Sequence, residues 1–449
     1  MLDKFLPIIE LINSVLRNYI LVVALVGTGI FLTFYLGGVQ FRKISVAFKQ
    51  AFSGIFSEGG GISSFKALSV AVAAQVGTGN IVGVATAIMS GGPGAIFWMW
   101  VSAIFGEATI FAEALLAQRY KVKVNGEYIG GPVYYLKNGV KKEFIAKIFA
   151  VLAVIAFGFF GSVTQSNSIA SSLSGAIPKI PPIVFGILVG ILAAFVIIGG
   201  INRIANFARL AVPFMAIIYI VFSIIVMIKF RAYLIPSLKL IFTSAFDVHA
   251  IAGGAAGYGI KKAISMGVSR GLFSNEAGMG STPHAHATAE VDHPAQQGLV
   301  AMCGTVIDTL VICTMTAMVI LTTESNSMGL SGALITQNAF KMAFGNIGVF
   351  VLALSLMFFA FTTIIGWYYF GEINYKYLFK GKAISIYRIL VIAFIVLGSV
   401  QKIDAVWEMS DMMSALIALP NIYALLYLRK EIKEVYNDFL SKEDELYKK

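Results

Sequence analysis

Charge is scarce in this chain. Only 13% of its 449 residues are charged, and 58% are hydrophobic. Soluble globular proteins carry about a quarter charged and about half apolar residues. The shortage excludes an ordinary soluble domain and makes this a polytopic membrane protein. Cysteine is nearly absent as well. Cys303 and Cys313 share one apolar segment, too few for a disulfide framework and at no metal-binding spacing; they read as small apolar helix residues. No Gly-x-x-x-x-Gly-Lys-Ser/Thr run occurs, so there is no P-loop. His284, His286 and His293 lack the carboxylate–histidine spacing of zinc enzymes. Gly267-Val268-Ser269-Arg270-Gly271 matches the Gly-x-Ser-x-Gly pattern of hydrolases, yet no strand precedes it to make the sharp turn that chemistry needs. No catalytic constellation has a supporting context, and we expect no enzyme. The net charge of +11 does not point to nucleic acid, because its placement follows membrane topology instead.

What is abundant is apolar sequence. About 20 apolar residues cross a bilayer, and on that ruler eleven segments qualify. They are Tyr19–Gly37, Ala67–Ser90, Gly94–Gln118, Ile148–Gly175, Pro182–Gly200, Phe207–Ile228, Ala250–Glu290, Gly298–Leu321, Val349–Phe370, Ser385–Val400 and Ala405–Leu428. The first lacks a small-x-small cleavage site, so it is expected to be a helix rather than a signal peptide. A polar linker separates it from the second, a long basic loop follows the third (Arg119–Lys147), and the charged tail Arg429–Lys449 reads as a solvated helix. Roughly two thirds of the 34 lysines and arginines fall on one side of this alternation. By the positive-inside rule that side is cytoplasmic, with the N-terminus outside and the C-terminus inside.

The chain is organised around Ala73-Ala74-Gln75-Val76-Gly77-Thr78-Gly79-Asn80, inside the second segment. Two glycines in three residues each cost a helix about 1 kcal/mol relative to alanine. Backbone groups released in hydrocarbon must find other partners, so a broken helix here has to face protein, water or a ligand. The seventh segment has a similar interruption at Leu272–Gly280. Leaving the first segment aside, these are the first and sixth of ten. Interruptions at corresponding positions of two five-helix halves mark an inverted-repeat transporter. The expected fold is therefore all-α, with eleven transmembrane helices and a 5+5 inverted-repeat core. Its parts are 1–65 (N-terminal helix and linker), 66–231 (first repeat), 232–428 (second repeat) and 429–449 (cytoplasmic tail).

A half-helix starting near Thr78-Gly79-Asn80 presents free N–H groups and partial positive charge, which suits a carboxylate. The preceding carbonyls, Ala73 to Val76, suit a cation. Phe273-Ser274-Asn275-Glu276-Ala277-Gly278 can hold an ammonium through carbonyls and a hydroxyl. Together the two breaks suit a zwitterion. The alternative is that Gly77 and Gly79 only let helices pack closely. Thr362 and Thr363 lie mid-segment and fit a hard cation such as sodium; alternatively each bonds back to its own helix. Trp367 shares a face with Thr363 and is a lid or simply packing. Gln165, in the polar turn Thr164–Asn167, can reach a solute or another helix. Buried carboxylates in membranes are functional candidates. Asp308 can help hold a cation, whereas Glu107 and Glu113 read more naturally as pairing with an arginine or hydrogen-bonding across helices. Phe273, Trp367, Gln165 and Thr78 would crowd a small cavity, and each extra methylene of solute is then a matter of about 1–3 kcal/mol. A channel would more naturally show rings of repeated filter residues than two unlike breaks.

Gly91-Gly92-Pro93-Gly94-Ala95-Ile96-Phe97-Trp98-Met99-Trp100-Val101-Ser102-Ala103-Ile104-Phe105-Gly106 resembles the signature of the alanine or glycine:cation symporter family. The likeness runs from about Lys66 to Leu428 and includes the N-terminal helix. It implies sodium-coupled uptake of alanine or glycine across the cytoplasmic membrane of a prokaryote, or a proton-coupled carrier or exchanger of the same fold. No cofactor is implied beyond the coupling sodium ion, and no partner beyond solute, ion and lipid bilayer. The family's architecture is similar to that of the bacterial leucine transporter, whose first core helix carries Asn-Ala-Val-Gly-Leu-Gly-Asn against Ala74–Asn80 here. That likeness implies that the Thr78 and Gly79 amides bind the solute carboxylate and that Phe273 and Ser274 are the unwound residues of the second break. With the readings above, the expected solute site is Gly77, Thr78, Gly79, Gln165, Phe273, Ser274, Asn275, Thr363 and Trp367. The likeness further implies that Gln75 (carbonyl), Asn80 and Asp308 make one sodium site, and Ala73 and Val76 (carbonyls) with Thr362 and Thr363 another. Two positions depart from the pattern: Gln75 replaces alanine, and Asp308 only approximates an asparagine.

Overall fold

Apolar runs in hydrocarbon must close their backbone hydrogen bonds within themselves, and helices do so. The computed structural model describes residues 6–53, 62–246 and 256–446. The first helix, α1, runs continuously through residues 6–35 and is followed by α2 (Val39–Ser53). Next comes α3 in two halves, α3a (Ser64–Gln75) and α3b (Gly79–Gly91), then α4 (Gly94–Arg119). After α5 (Pro132–Asn138) follow α6 (Glu143–Ala176), α7 (Pro182–Ile197), α8 (Gly200–Lys229) and α9 (Leu234–Ala245). The second half has α10 (Ala256–Asn275), α11 (Pro283–His286), α12 (Pro294–Thr322), α13 (Ala333–Phe344) and α14 (Asn346–Phe379). It closes with α15 (Ile384–Gly398), α16 (Ile403–Tyr427) and α17 (Arg429–Leu446).

Every apolar segment read from the sequence overlaps a helix, although residues 250–255 of the seventh lie outside the described residues. Among the described residues, six helices are long and apolar enough to cross a membrane, and up to eight if each of two bent pairs is one span. One bent pair is the end of α1 with α2, turned by 83°; the other is α3a with α3b, turned by 48°. α7 and α15 are apolar but shorter, at 16 and 15 residues. The protein is a mostly helical, multi-pass membrane protein.

Three expectations need correction. The chain is not wholly α-helical, because the basic loop contains an antiparallel hairpin, β1 (Val122–Val124) with β2 (Glu127–Ile129). Asn125 and Gly126 turn it, at φ 51° and 86°, the left-handed pair that a two-residue hairpin requires. Residues 39–53 of the linker after α1 form the helix α2, and its residues 54–61 lie outside the described residues. The tail is not solvated all round: Ile432, Tyr436 and Phe439 are buried. The α17 helix is pinned by Tyr120 donating to Glu431 at 2.7 Å and by a Lys43–Glu443 pair at 2.5 Å.

Small residues let the central backbones approach closely. At Gly267 on α10, a Cβ would lie 2.3 Å from the Ala95 carbonyl oxygen and 3.0 Å from the Met99 nitrogen of α4. The Gly-x-Ser-x-Gly run is thus a packing face inside a helix. Gly267→Ala should force α10 off α4 at a cost of about 1–3 kcal/mol. A lowered apparent melting temperature in detergent checks this, and an unchanged melt would show that the contact gives freely.

Candidate solute and cation site

The break in α3 is sharp and fully buried. Val76 leaves the helix at φ −76°, ψ 90°, and α3b restarts from Thr78. The Gly77 N–H donates to Asn80 Oδ1 at 2.8 Å, and the Thr78 N–H donates to Gln165 Oε1 at 3.1 Å. An amide oxygen on α6 therefore already sits where a carboxylate oxygen would accept. Neither Gly77 nor Gly79 has a left-handed backbone. What requires glycine is room: a Cβ on Gly77 would lie 2.3 Å from Thr363 Oγ1, and one on Gly79 would lie 3.0 Å from Ser274 Cα. Break and close packing, weighed above as alternatives, occur at the same residues.

The second break is built differently. α10 ends at Asn275, whose Oδ1 accepts from the Ala277 N–H at 3.0 Å. Glu276, Gly278 and Gly280 then take left-handed φ values of 61°, 91° and 77°. The Glu113 carboxylate on α4 accepts from the Gly278 and Gly280 amides at 3.2 and 2.9 Å, and from Asn421 Nδ2 of α16 at 2.5 Å. Glu113 thus hydrogen-bonds across helices and supplies the acceptors that the broken segment lacks. Glu107 is buried on the same helix.

Gln75 ties the two breaks together. Its Nε2 donates to the Asn275 carbonyl at 2.6 Å, and its Oε1 fills the space beside Gly304 on α12. Asn80 Nδ2 donates to Asp308 Oδ1 at 2.6 Å and Ser274 Oγ donates to the same atom at 3.0 Å. Thr309 Oγ1 donates to Asp308 Oδ2 at 2.7 Å, and Cys313 Sγ lies 3.3 Å from both Asn80 Nδ2 and Ser274 Oγ. Asn80, Ser274 and Asp308 are brought together; Thr309, not singled out in the sequence, joins them, as does Cys313, read there as a small apolar residue. Asn275 reaches this cluster through Thr309, donating at 3.2 Å.

The two threonines of α14 separate. Thr363 Oγ1 lies 3.2 Å from the Ala73 carbonyl oxygen, 3.5 Å from that of Val76 and 3.1 Å from that of Phe359. Thr362 turns away, bonding back to the Phe359 carbonyl at 2.9 Å with Met215 Sδ at 3.7 Å. Side chains one position apart on a helix point in different directions. Only Thr363 shares a pocket of carbonyls with the first break, and the Phe359 carbonyl was missed because a carbonyl leaves no mark in sequence.

Phe273 and Trp367 complete the chamber, edge to face with centroids 5.9 Å apart. Trp367 Nε1 donates to Glu276 Oε1 at 2.5 Å. Beyond Phe273 lies Trp407 of α16, 4.9 Å away by centroid, with the Arg270 guanidinium 4.8 Å over its ring. Arg270 and Asp411 form a buried bidentate pair at 2.9 and 2.7 Å. This layer floors a cavity of about 590 Å³, lined in part by Glu10, Ser14, Thr86, Ser265 and Trp407. Arg270 and Asp411 went unremarked in the sequence, although an arginine and an aspartate within apolar runs are the signal that finds such pairs. The histidines have separate partners. His284 Nδ1 donates to the Ser281 carbonyl at 2.7 Å and its Nε2 accepts from Asn374 at 2.8 Å. Gln297 meets His286 at 2.8 Å, and His293 caps α12 through Ala295.

Two interrupted helices facing one another, with side chains from α6 and α14 closing the space between them, define a membrane transporter rather than an enzyme. The comparisons agree. Residues 3–449 match the model of the sodium:alanine symporter family. A sodium/alanine symporter, AgcS, of Methanococcus maripaludis is 42% identical over 436 residues, covering 94% of this chain and 95% of its own. A probable sodium/glutamine symporter, GlnT, of Bacillus subtilis is 40% identical, covering 96% and 90%. The crystal structure of MhsT in complex with L-phenylalanine shares the fold at a TM-score of 0.62 and 14% identity, over 81% of this chain and 88% of that one. The chain belongs to the sodium:alanine symporter family.

Proposed function

We propose that the protein carries out sodium-coupled symport of small neutral amino acids, alanine and glycine, by alternating access. The observation that carries this reading is the convergence at the first break. Thr363 Oγ1 stands among the Ala73, Val76 and Phe359 carbonyls, while two residues beyond Val76 the Thr78 amide points to Gln165. A hard cation and a carboxylate would then bind on either side of Gly77. The ammonium end of the solute would meet Ser274 and the carbonyls near Asn275. Sodium would lie among Ala73, Val76 and Thr363, and a second ion beside Asn80 and Asp308. The names of the relatives support an amino-acid solute; the crowding of Phe273, Trp367 and Gln165 favours alanine over glutamine.

In the same proposal the chain crosses the cytoplasmic membrane eleven times, with its N-terminus outside and its C-terminus inside. Residues 66–231 and 232–428 would form the two five-helix repeats. Asp308, a buried carboxylate held by three donors, is the group that a proton-coupled carrier of this fold would use.

Uptake of radiolabelled alanine into proteoliposomes tests both readings. An inward sodium gradient should raise the initial rate at least tenfold over potassium at constant pH. Stimulation by a proton gradient alone would replace sodium with proton, and uptake indifferent to both gradients would remove coupling altogether.

A further inference from the structure

Glu276 has no role in the reading above, yet it is the residue the second break strains to accommodate. It sits at φ 61°, left-handed, fully buried, immediately after α10. Glycine adopts that conformation freely and a residue with a Cβ does not. A carboxylate kept at such a position, buried and with both oxygens bonded, points to a role for the side chain. No lysine or arginine among the described residues pairs with it. Instead both oxygens accept from neutral donors: Oε1 from Trp367 Nε1 at 2.5 Å, and Oε2 from Ser281 Oγ.

The indole has little other freedom. It lies edge to face with Phe157 at 5.5 Å and with Phe273 at 5.9 Å. On its third side is Gly161, where a Cβ would fall 1.9 Å from Trp367 Cε3. Ring contacts hold the plane, but they do not fix which way the N–H points; a buried indole needs an acceptor for that. Gly161 is one helical turn from Gln165, and Trp367 is one turn from Thr363. The ring thus stands beside both side chains that reach the first break.

We propose that Glu276 is a positioning residue for solute selection. By accepting the indole N–H, it holds Trp367 as a fixed wall and so sets the largest side chain the chamber admits. The same carboxylate ties that wall to the loop that Glu113 anchors through Gly278 and Gly280. The wall is therefore registered against α4 and α16 rather than carried by α14 alone. The inference rests on the chamber being the solute site, as proposed above.

Three variants test it. Glu276→Gly removes both acceptors at a position whose backbone suits glycine. Glu276→Gln keeps an acceptor oxygen, and Trp367→Phe removes the donor but keeps a ring. Initial uptake of alanine and of leucine is measured for each, alongside tryptophan emission. With four tryptophans in the chain, the difference between wild type and Trp367→Phe isolates the signal of interest. Glu276→Gly should lower the alanine-to-leucine ratio about tenfold and shift the Trp367 emission. Glu276→Gln should stay within about twofold of wild type on both readouts. Trp367→Phe should relax the ratio as Glu276→Gly does, and adding Glu276→Gln to it should change nothing more. An unchanged ratio in Glu276→Gly, even with lower total uptake, makes Glu276 merely structural and overturns the proposal. Should Glu276→Gly not fold, a wild-type ratio in Trp367→Phe overturns it equally, because that variant removes the N–H that Glu276 accepts and keeps a ring. If the wild type takes up no amino acid, it is the transport reading that fails. The emission comparison then still decides whether Glu276 holds the ring.

Discussion

Gly79→Leu should abolish alanine binding while leaving the protein folded enough to purify. Position 79 is where the two breaks touch. A Cβ there would lie 3.0 Å from Ser274 Cα, 3.2 Å from Ser274 Cβ and 3.3 Å from Phe273 Cδ1. One of these atoms is backbone, so no rotamer change clears it. Leucine adds three further carbons in the same direction. To fit them, α3b must move away from α10, which overpacking data price at about 1–3 kcal/mol. The displacement is aimed at the chamber itself, because the Thr78 amide and the Ser274 hydroxyl stand on the two sides of the contact. A separation of about 1 Å takes both from hydrogen-bonding range. Loss of both ends of a zwitterion is worth at least a hundredfold in affinity, at 1.4 kcal/mol per tenfold. Equilibrium binding of labelled alanine in detergent measures it. Affinity within threefold of wild type would take Gly79 out of the site.

How much of this was legible beforehand depended on the physics involved. Bilayer thickness imposes a length, so long apolar helices were read directly, down to α7 and α15 (Pro182–Ile197 and Ile384–Gly398). Short amphipathic pieces obey no such ruler, and α2, α5, α9 and α13 escaped notice. The hairpin at Val122–Ile129 did announce itself, through Asn125-Gly126, but within a loop already set aside as basic. The two breaks stood out because glycine and polar residues are costly in a membrane span. What glycine does at each could not be read. Gly77 and Gly79 give room to neighbours, whereas Gly278 and Gly280 are left-handed; both uses look the same in one dimension. Glu113 shows the other limit. In sequence, the stronger reading of its carboxylate is an arginine partner or cross-helix hydrogen bonds. Which of the two holds could not be read, because its partners, Gly278, Gly280 and Asn421, are distant along the chain. Gln75, the departure from the borrowed pattern, has become intelligible. An alanine there could not reach the Asn275 carbonyl that Gln75 Nε2 now satisfies at 2.6 Å.

Thr362 and Thr363 provide the sharpest test of the ion site, because they are chemically identical and adjacent. Thr363→Ala should raise the sodium concentration for half-maximal uptake by at least tenfold, about 1.4 kcal/mol. Thr362→Ala should change it by less than threefold. The difference follows from helix phase alone. The Thr363 hydroxyl lies 3.2, 3.5 and 3.1 Å from the carbonyl oxygens of Ala73, Val76 and Phe359. The first two are the end of α3a, whose last carbonyls have no partner within the helix. Removing Thr363 Oγ1 deletes an oxygen from that group and leaves carbonyl dipoles facing one another. The Thr362 hydroxyl bonds the Phe359 carbonyl at 2.9 Å from the side facing Met215, so its loss frees one lone pair of that carbonyl but removes no oxygen from the group at Ala73 and Val76. Both variants remove the same atoms from the same helix, which cancels any general effect on α14 packing. Uptake rates over a sodium series, at fixed ionic strength, give the comparison. Should Thr362→Ala weaken sodium dependence while Thr363→Ala spares it, the cation does not bind among these carbonyls. The first break would then have to be reread as a solute site only, with Asp308 and Asn80 left to carry the coupling.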